Sequence, residues 1–407
     1  MLDQLFTLHT NALERTTSRY KRYLYSQINW NYQLNMIIGM RGVGKTTMLH
    51  QYIQENYPKS QEVLYIMADN PIVNSFGLFA IGQEFYQHSG KLLVIDEIHK
   101  YPNWRQEIKS LFDSFPKLKL LISGSSSLDI IKGTFDLSRR AVVYHLKNLS
   151  FREYLNLKLE TDQFSVIKLT ELFNNHLQLA TKITKQLRKL NTTILNEFQI
   201  YLKNGCYPYF IEGISDYQNK LSNAISKVIY EDIPSVFNVK ISIAPILQKM
   251  LYLVATSDPF IPNVARMAST LGVSKATVYN YLDYLYKSDI FQYLWPADSG
   301  IKMIRKPQKI FLNNSNLYIA ITGKESLKQS VGSIRESFTI NQLIHKNKVI
   351  AHDKGDIIVN GKYIFEIGGK SKTLKQIAKI DNSYVLKDNV ELGFDRIIPL
   401  WLVGFLY

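Results

Sequence analysis

The sequence predicts an α/β protein: a parallel-sheet P-loop core comes first, then a helical region, then a second, smaller α/β domain. Three observations predict it. The stretch Gly39-Met40-Arg41-Gly42-Val43-Gly44-Lys45-Thr46-Thr47 fits G-x-x-x-x-G-K-[ST] without a gap. It stands between a short apolar run and a segment with apolar residues at helical spacing, the strand–loop–helix setting that such a loop requires. Downstream, Lys91-Leu92-Leu93-Val94-Ile95-Asp96-Glu97 reads as an apolar strand ending in two acids.

At 407 residues the chain is too long for one ordinary domain. Its patterning divides it into 1–150, an ATPase-like core; 151–250, a helical lid; 251–300, a winged helix-turn-helix; and 301–407, a terminal α/β domain. Hydrophobic residues at 46% and charged residues at 20% describe a globular chain. No apolar run reaches the length of a membrane span, and the first residues lack a basic flank followed by a long apolar core. The single cysteine, Cys206, excludes an intrachain disulfide and suits a reducing compartment, so a cytoplasmic location is expected. The formal charge of +15 favours polyanionic partners, here nucleotide and DNA rather than membrane.

Taken in order, Asn11 to Ile28 reads as a helix made basic by Arg15, Arg19, Lys21 and Arg22. Two readings stay open for it: a solvated face, or a cover for a nucleotide base. Leu34–Ile38 reads as the first buried strand. In the loop that follows, Gly39, Gly42 and Gly44 let the backbone turn tightly enough to aim N–H groups at phosphate oxygens, with Arg41, Val43 and Thr47 completing the cradle. The next helix points its positive end at the same place. Lys45 is expected to reach the β- and γ-phosphates of ATP, and the Thr46 hydroxyl to hold Mg²⁺.

Val63–Met67 reads as a second strand. At the end of the third, Asp96 is placed to hold the Mg²⁺ shell and Glu97 to act as general base on the attacking water. A further apolar run, Leu118 to Ser127, is expected between the two motif strands. Ser125 at its end is the expected γ-phosphate sensor, with Ser126 next; either serine alternatively caps a helix at Leu128–Ile131. Arg139 and Arg140 are candidates for stabilising transition-state charge, in cis or across an interface of an oligomer.

With these segments in view, "GMRGVGKTT", "LLVIDEIHKYPNW", "LISGSSSLDI" and "LSFREYL" together resemble the bacterial and archaeal AAA-type ATPase family with a C-terminal domain of unassigned function. The resemblance continues through "GCYPYF", "KATVYNYLDYL", "RKPQKIFL", "IRESF" and "FEIGGKSK". It implies that the first three segments are the two Walker motifs and the sensor-1 strand. One departure is visible: relatives commonly carry Asp after the "KIFL"-type strand, where this chain has Asn313.

From Phe151 to about Met250 the period is helical, broken at Gly205-Cys206-Tyr207-Pro208. Val264 to Tyr286 reads as two helices joined at Gly272, with Ser274 as N-cap of the second and Phe291–Leu294 as a wing strand. Lys275, Thr277, Tyr279 and Asn280 then lie near the start of the second helix, where DNA contacts are made. The competing reading has Tyr279, Tyr281, Tyr284 and Tyr286 packing the module inward.

The last part resembles a PD-(D/E)xK nuclease-like core. A helix carries Glu336; Asp356 opens a strand; Glu366 lies on its hairpin partner across Asn360-Gly361. These three carboxylates are expected to hold a second Mg²⁺. The lysine of that pattern fails: by strand alternation it belongs at Gly368, leaving Lys370, one strand step further, to reach back, with Lys372 and Gln376 beyond. The expected function is Mg²⁺-dependent ATP binding and hydrolysis coupled to a conformational change at DNA. The alternatives are a nucleotide-gated switch for a protein client, with little turnover, and an ATP-regulated nuclease that is expected to cleave poorly.

Overall fold

The computed structural model describes residues 1–16, 20–58, 61–124, 139–297, 307–323 and 331–407. Arg19, Ser125, Ser126 and the helix expected at Leu128–Ile131 lie outside them. The chain forms two compact units, Met1–Asn148 with Glu231–Val239, and Leu149–Tyr230 with Lys240–Tyr407.

The first unit runs α1 (Leu2–Glu14), β1 (Leu34–Ile38), α2 (Lys45–Asn56), β2 (Val63–Met67), α3 (Pro71–Phe76), α4 (Leu78–Gln87), β3 (Leu92–Asp96), α5 (Trp104–Ser114), β4 (Lys119–Gly124) and β5 (Ala141–His145). Its sheet is parallel, in the order β2-β3-β4-β1-β5. Every residue of β1 and β3 is buried. Helices on both faces of a parallel sheet demand such uninterrupted apolar strands. Ile81 and Phe85 of α4 and Ile108 and Leu111 of α5 close over Leu64, Leu93, Ile95, Leu120 and Ile122. Because β4 lies between β1 and β3, a polar side chain at its carboxyl end stands beside both motif strands.

The helix expected over Asn11 to Ile28 is corrected: α1 ends at Glu14, and residues 23–27 form turns. Long-range bonds win over helix propagation there. The Thr16 hydroxyl pairs with His50 Nδ1 at 2.7 Å. Arg22, one of the expected basic-face residues, is buried; it donates to the carbonyl oxygens of Val43 and, at 2.7 Å, Lys147.

In the second unit, residues 151–230 and 240–255 are mainly helical, and Gly205 caps Ile194–Asn204 at the expected break. The borders expected at residues 250 and 300 do not separate compact bodies. Helix Ser315–Thr322 packs on Ile194–Asn204, Tyr217–Lys227 and Ala244–Ala255. Its fully buried Asn316 accepts from Cys206 N at 2.7 Å and donates to Leu202 O at 2.8 Å, stitching the helical region to the later one.

Val264–Leu271 and Lys275–Lys287 are joined at Gly272, φ +68°, and the Ser274 hydroxyl accepts from Thr277 N as the N-cap. β6 (Phe291–Leu294) pairs antiparallel with β7 (Lys309–Leu312). Asn313, just after β7, donates to Asp289 O at 2.7 Å and accepts from Asn341 Nδ2 at 2.8 Å. A carboxylate at that position has no hydrogen to donate to the carbonyl.

A second five-stranded sheet, β12-β11-β10-β9-β8, contains β8 (Val349–Ala351), β9 (Ile357–Val359), β10 (Tyr363–Gly368), β11 (Ser383–Lys387) and β12 (Ile397–Pro399). Asn360 and Gly361, with φ of +54° and +67°, make the two-residue hairpin turn between β9 and β10. Among the described residues no helix is long and apolar enough to cross a membrane.

Candidate functional site

The glycine-rich loop leaves the carboxyl end of β1 and enters α2 at Lys45. Two glycines are dictated by geometry. A Cβ at Gly39 would lie 2.3 Å from the backbone oxygen of Leu146, and Gly44 holds φ +96° as the residue before the helix. Lys45 is buried and its Nζ donates to the carbonyls of Gly39, at 2.9 Å, and Met40, at 3.2 Å. Burial lowers the proton affinity of this amine, and the carboxylates of Glu97 and Asp96 oppose that.

Asp96, at the end of β3, is 1% exposed and is held from three sides. The Thr46 hydroxyl donates to its Oδ2 at 2.6 Å and the Tyr65 hydroxyl at 2.9 Å, while the Ser123 hydroxyl donates to Oδ1. Thr46 and Asp96 are therefore brought together as expected, as a pair of hard oxygen donors beside the lysine. That donor set suits a magnesium–phosphate group.

Glu97 follows in a left-handed conformation, φ +55°, which turns its side chain out of the strand. Its backbone N–H donates to Ser123 Oγ at 3.2 Å. Among the described residues Oε2 is buried without a hydrogen bond. Two basic side chains flank it beyond hydrogen-bond distance, Arg41 with Nη2 at 3.9 Å and His99 with Nε2 at 3.6 Å. Both are drawn towards Asp232. Arg41 Nε and Nη2 form a bidentate pair with Asp232 at 3.0 and 2.8 Å, and His99 Nε2 is 3.7 Å from Asp232 Oδ1. Burial would raise the Asp232 pKa, but His99 and Arg41 together hold it well below the usual carboxylate range.

Sequence reasoning missed Ser123, Tyr65, His99 and Asp232, and it did not foresee the burial of Arg22. Ser123 alone left a legible signal, as a polar residue in the apolar β4 run. The expected sensor, Ser125, lies two residues further on and outside the described residues. Arg139 and Arg140 precede β5, whose first residue, Ala141, pairs with Leu34 at the start of β1. They stand at the end of the sheet opposite the phosphate loop, so the reading in cis is corrected. Arg140 is bound to Asp113, its Nε 2.8 Å from Oδ1, and rests on the Phe112 ring.

In the second unit, Glu336, Asp356 and Glu366, the expected joint Mg²⁺ cradle, each have a partner within the chain. Among the described residues no group of three or more acids, histidines or cysteines is arranged to hold a metal. Glu336 pairs with Lys309 at 2.7 Å, Glu366 pairs with Lys372, and Asp356 Oδ2 accepts from Ile367 N at 2.7 Å. The lysine at Glu366 is thus Lys372, not Lys370. Its aliphatic stem fills the space over Gly368, where a Cβ would meet it at 2.7 Å. Of the expected DNA contacts, Lys275, Tyr279 and Asn280 are exposed, and the Thr277 hydroxyl lies 2.8 Å from Ser274 Oγ. Tyr281 is buried and Tyr286 stacks on Tyr293, with centroids 4.2 Å apart. The tyrosines thus divide between surface and packing.

Comparison with known proteins places an AAA domain over residues 31–155. A second model, a domain of unknown function (DUF8612), matches residues 195–328. A Methanocaldococcus jannaschii protein described as uncharacterized is 28% identical over 293 residues, which is 68% of this chain. The chain spans 60% of that relative's length. Among solved structures, AMPPCP-bound DnaA from Aquifex aeolicus is 13% identical with a TM-score of 0.28, covering 70% of this chain and 88% of that one. The Saccharomyces cerevisiae Hsp104–ADP complex is 16% identical with a TM-score of 0.25, covering 71% and 38%. The global superpositions are weak, and the family match carries the assignment. The loop, the acid pair and the serine beside them all fall within residues 31–155, the stretch that matches an AAA domain.

Proposed function

We propose that the protein binds ATP with Mg²⁺ at Gly39–Thr47, hydrolyses it with Glu97 as general base, and couples the cycle to a conformational change exerted at DNA. The observation that carries this reading is the convergence of Lys45, Thr46, Asp96 and Glu97 at one end of the AAA sheet. Lys45 exchanges the carbonyls of Gly39 and Met40 for phosphate oxygens. Thr46 and Asp96 would hold Mg²⁺, which neutralises phosphate charge when bound. Glu97 Oε2, without a hydrogen bond among the described residues, is available to accept the proton of the attacking water. Ser123 fixes the orientation of both acids.

DNA as the partner is supported by the charge of +15 and by the exposed Lys275, Tyr279 and Asn280 at the start of their helix. A second reading, a nucleotide-gated switch with little turnover that serves a protein client, draws support from Arg41 and His99, which stand 3.9 and 3.6 Å from Glu97 Oε2. Steady-state ATP hydrolysis by the full chain, with and without duplex DNA, separates them. Turnover stimulated by DNA supports the first reading; tight nucleotide binding with negligible turnover and no response to DNA supports the second.

A further inference from the structure

The segment Glu231–Val239 is the one stretch from the later part of the chain that belongs to the first unit; the chain before it and after it belongs to the second. A π-helical turn, Val228–Asp232, runs directly into helix Ile233–Phe237. Such turns are uncommon and cluster at functional places. Asp232, at 3% exposure, makes the bidentate bond to Arg41, the third residue of the phosphate loop. Glu231 adds a second carboxylate 3.8 Å from the same guanidinium.

Arg41 marks the terminal-phosphate end of the site. A general base must stand beyond the γ-phosphate, with the water between, and Arg41 Nη2 is 3.9 Å from Glu97 Oε2. A guanidinium that grips a carboxylate through two parallel N–H bonds presents the geometry that also grips a phosphate. Given the nucleotide site argued above, we infer that Asp232 is an intramolecular stand-in for the γ-phosphate. It occupies Arg41 when the terminal position is empty and gives it up when ATP arrives. ADP ends one phosphate short and leaves the pair intact. The segment 231–239 is thus docked in the empty and ADP states and released in the ATP state. Because it is covalently continuous with the second unit at both ends, its release is what that unit receives.

Binding and release are reciprocal: whatever free energy ATP uses to displace Asp232 is returned when the carboxylate is removed. Asp232→Asn should therefore bind the non-hydrolysable analogue AMPPCP with Mg²⁺ about tenfold more tightly, a coupling of ordinary size. Its ADP affinity should not change. Calorimetry on the full chain measures both. An equal gain for the two nucleotides, or a loss for AMPPCP, overturns the inference.

Wild-type protein supplies a second test that needs no variant to fold. Amide hydrogen exchange in residues 231–239 should accelerate with AMPPCP and Mg²⁺ and stay slow with ADP or no nucleotide. Binding of AMPPCP without faster exchange overturns the latch and leaves the nucleotide site standing. Failure of the wild type to bind either nucleotide overturns the nucleotide reading, and the latch with it.

Discussion

At the scale of single residues, the proposed phosphate site brings a buried amine, Lys45, near a carboxylate oxygen, Glu97 Oε2, that has no hydrogen bond among the described residues. Lys45→Ala removes the amine that Gly39 O and Met40 O now hold, and ATP binding measured by calorimetry should become undetectable or greatly weakened. Glu97→Gln keeps the size and removes the base, so ATP should still bind while steady-state turnover falls on the order of a hundredfold or more. Unchanged turnover would move the base elsewhere. Burial pushes the His50 imidazole down to about 4, against the opposing charge of Asp96. The unfolded chain, titrating near 6.5, takes up a proton that the folded form refuses. Stability should therefore fall as pH drops from about 6.5 towards 4 and level off below, by at most about 3 kcal/mol from this group. His9, lowered by burial too, acts in the same direction. Urea denaturation at pH 7, 5.5 and 4.5 reads the slope, and His50→Gln should flatten it. Of these residues, Lys45, Thr46, Asp96 and Glu97 were legible because their spacing is local and chemically specific. Asp232 was not: its partner Arg41 lies 191 positions away, and a lone acid in a helical region leaves no periodic trace.

At the scale of elements, buried strands were legible because a parallel sheet covered on both faces writes continuous apolar runs. The hairpin at Asn360-Gly361 and the turn at Gly272 were legible because left-handed backbone selects those residues. The helix expected from Asn11 to Ile28 was misread because Thr16 and Arg22 spend their side chains on His50 and on carbonyls of Val43 and Lys147, contacts no local pattern announces. The helix Lys275–Lys287 carries the test of DNA binding. Lys275 and Asn280 are exposed and absent from the packing that engages Tyr281 and Tyr286. Lys275→Glu with Asn280→Ala should weaken duplex binding without changing thermal stability. Wild-type affinity should fall steeply with added salt, since each phosphate contact releases counterions. Salt-independent binding, or no duplex binding in an electrophoretic or anisotropy titration, points to the protein-client reading instead. Within the same element, Ser274→Ala removes the N-cap bond to Thr277 N and should cost about 1 kcal/mol of stability.

At the scale of the whole molecule, the question is whether the chain cuts the DNA it is proposed to meet. The pattern of Glu336, Asp356 and Glu366 was legible one residue at a time, but the lysine pairing of its two glutamates was not, because it depends on how the chain folds back. Lys309 lies on β7, before the helix that bears Glu336, and Lys372 follows β10 and folds back over Gly368 to Glu366. Burial raises the proton affinity of both Glu336 and Glu366; the nearby Asp356 charge adds to this, and the paired lysines oppose it. A divalent ion must therefore displace two ammonium groups and repay the desolvation of the lysines it frees. Phosphodiester hydrolysis needs that ion to polarise the phosphate and generate hydroxide. The full-length protein incubated with supercoiled DNA and Mn²⁺ should accordingly nick poorly or not at all. Lys372→Ala frees Glu366 from its ammonium partner, yet it also removes the cation nearest to where charge would develop in the transition state. The variant should therefore gain metal affinity without gaining activity, which pairs a Mn²⁺-binding measurement with the nicking assay. Robust wild-type nicking that disappears in both Lys372→Ala and Glu366→Ala is the result that would make the ion pair a working catalytic element rather than a neutralised remnant.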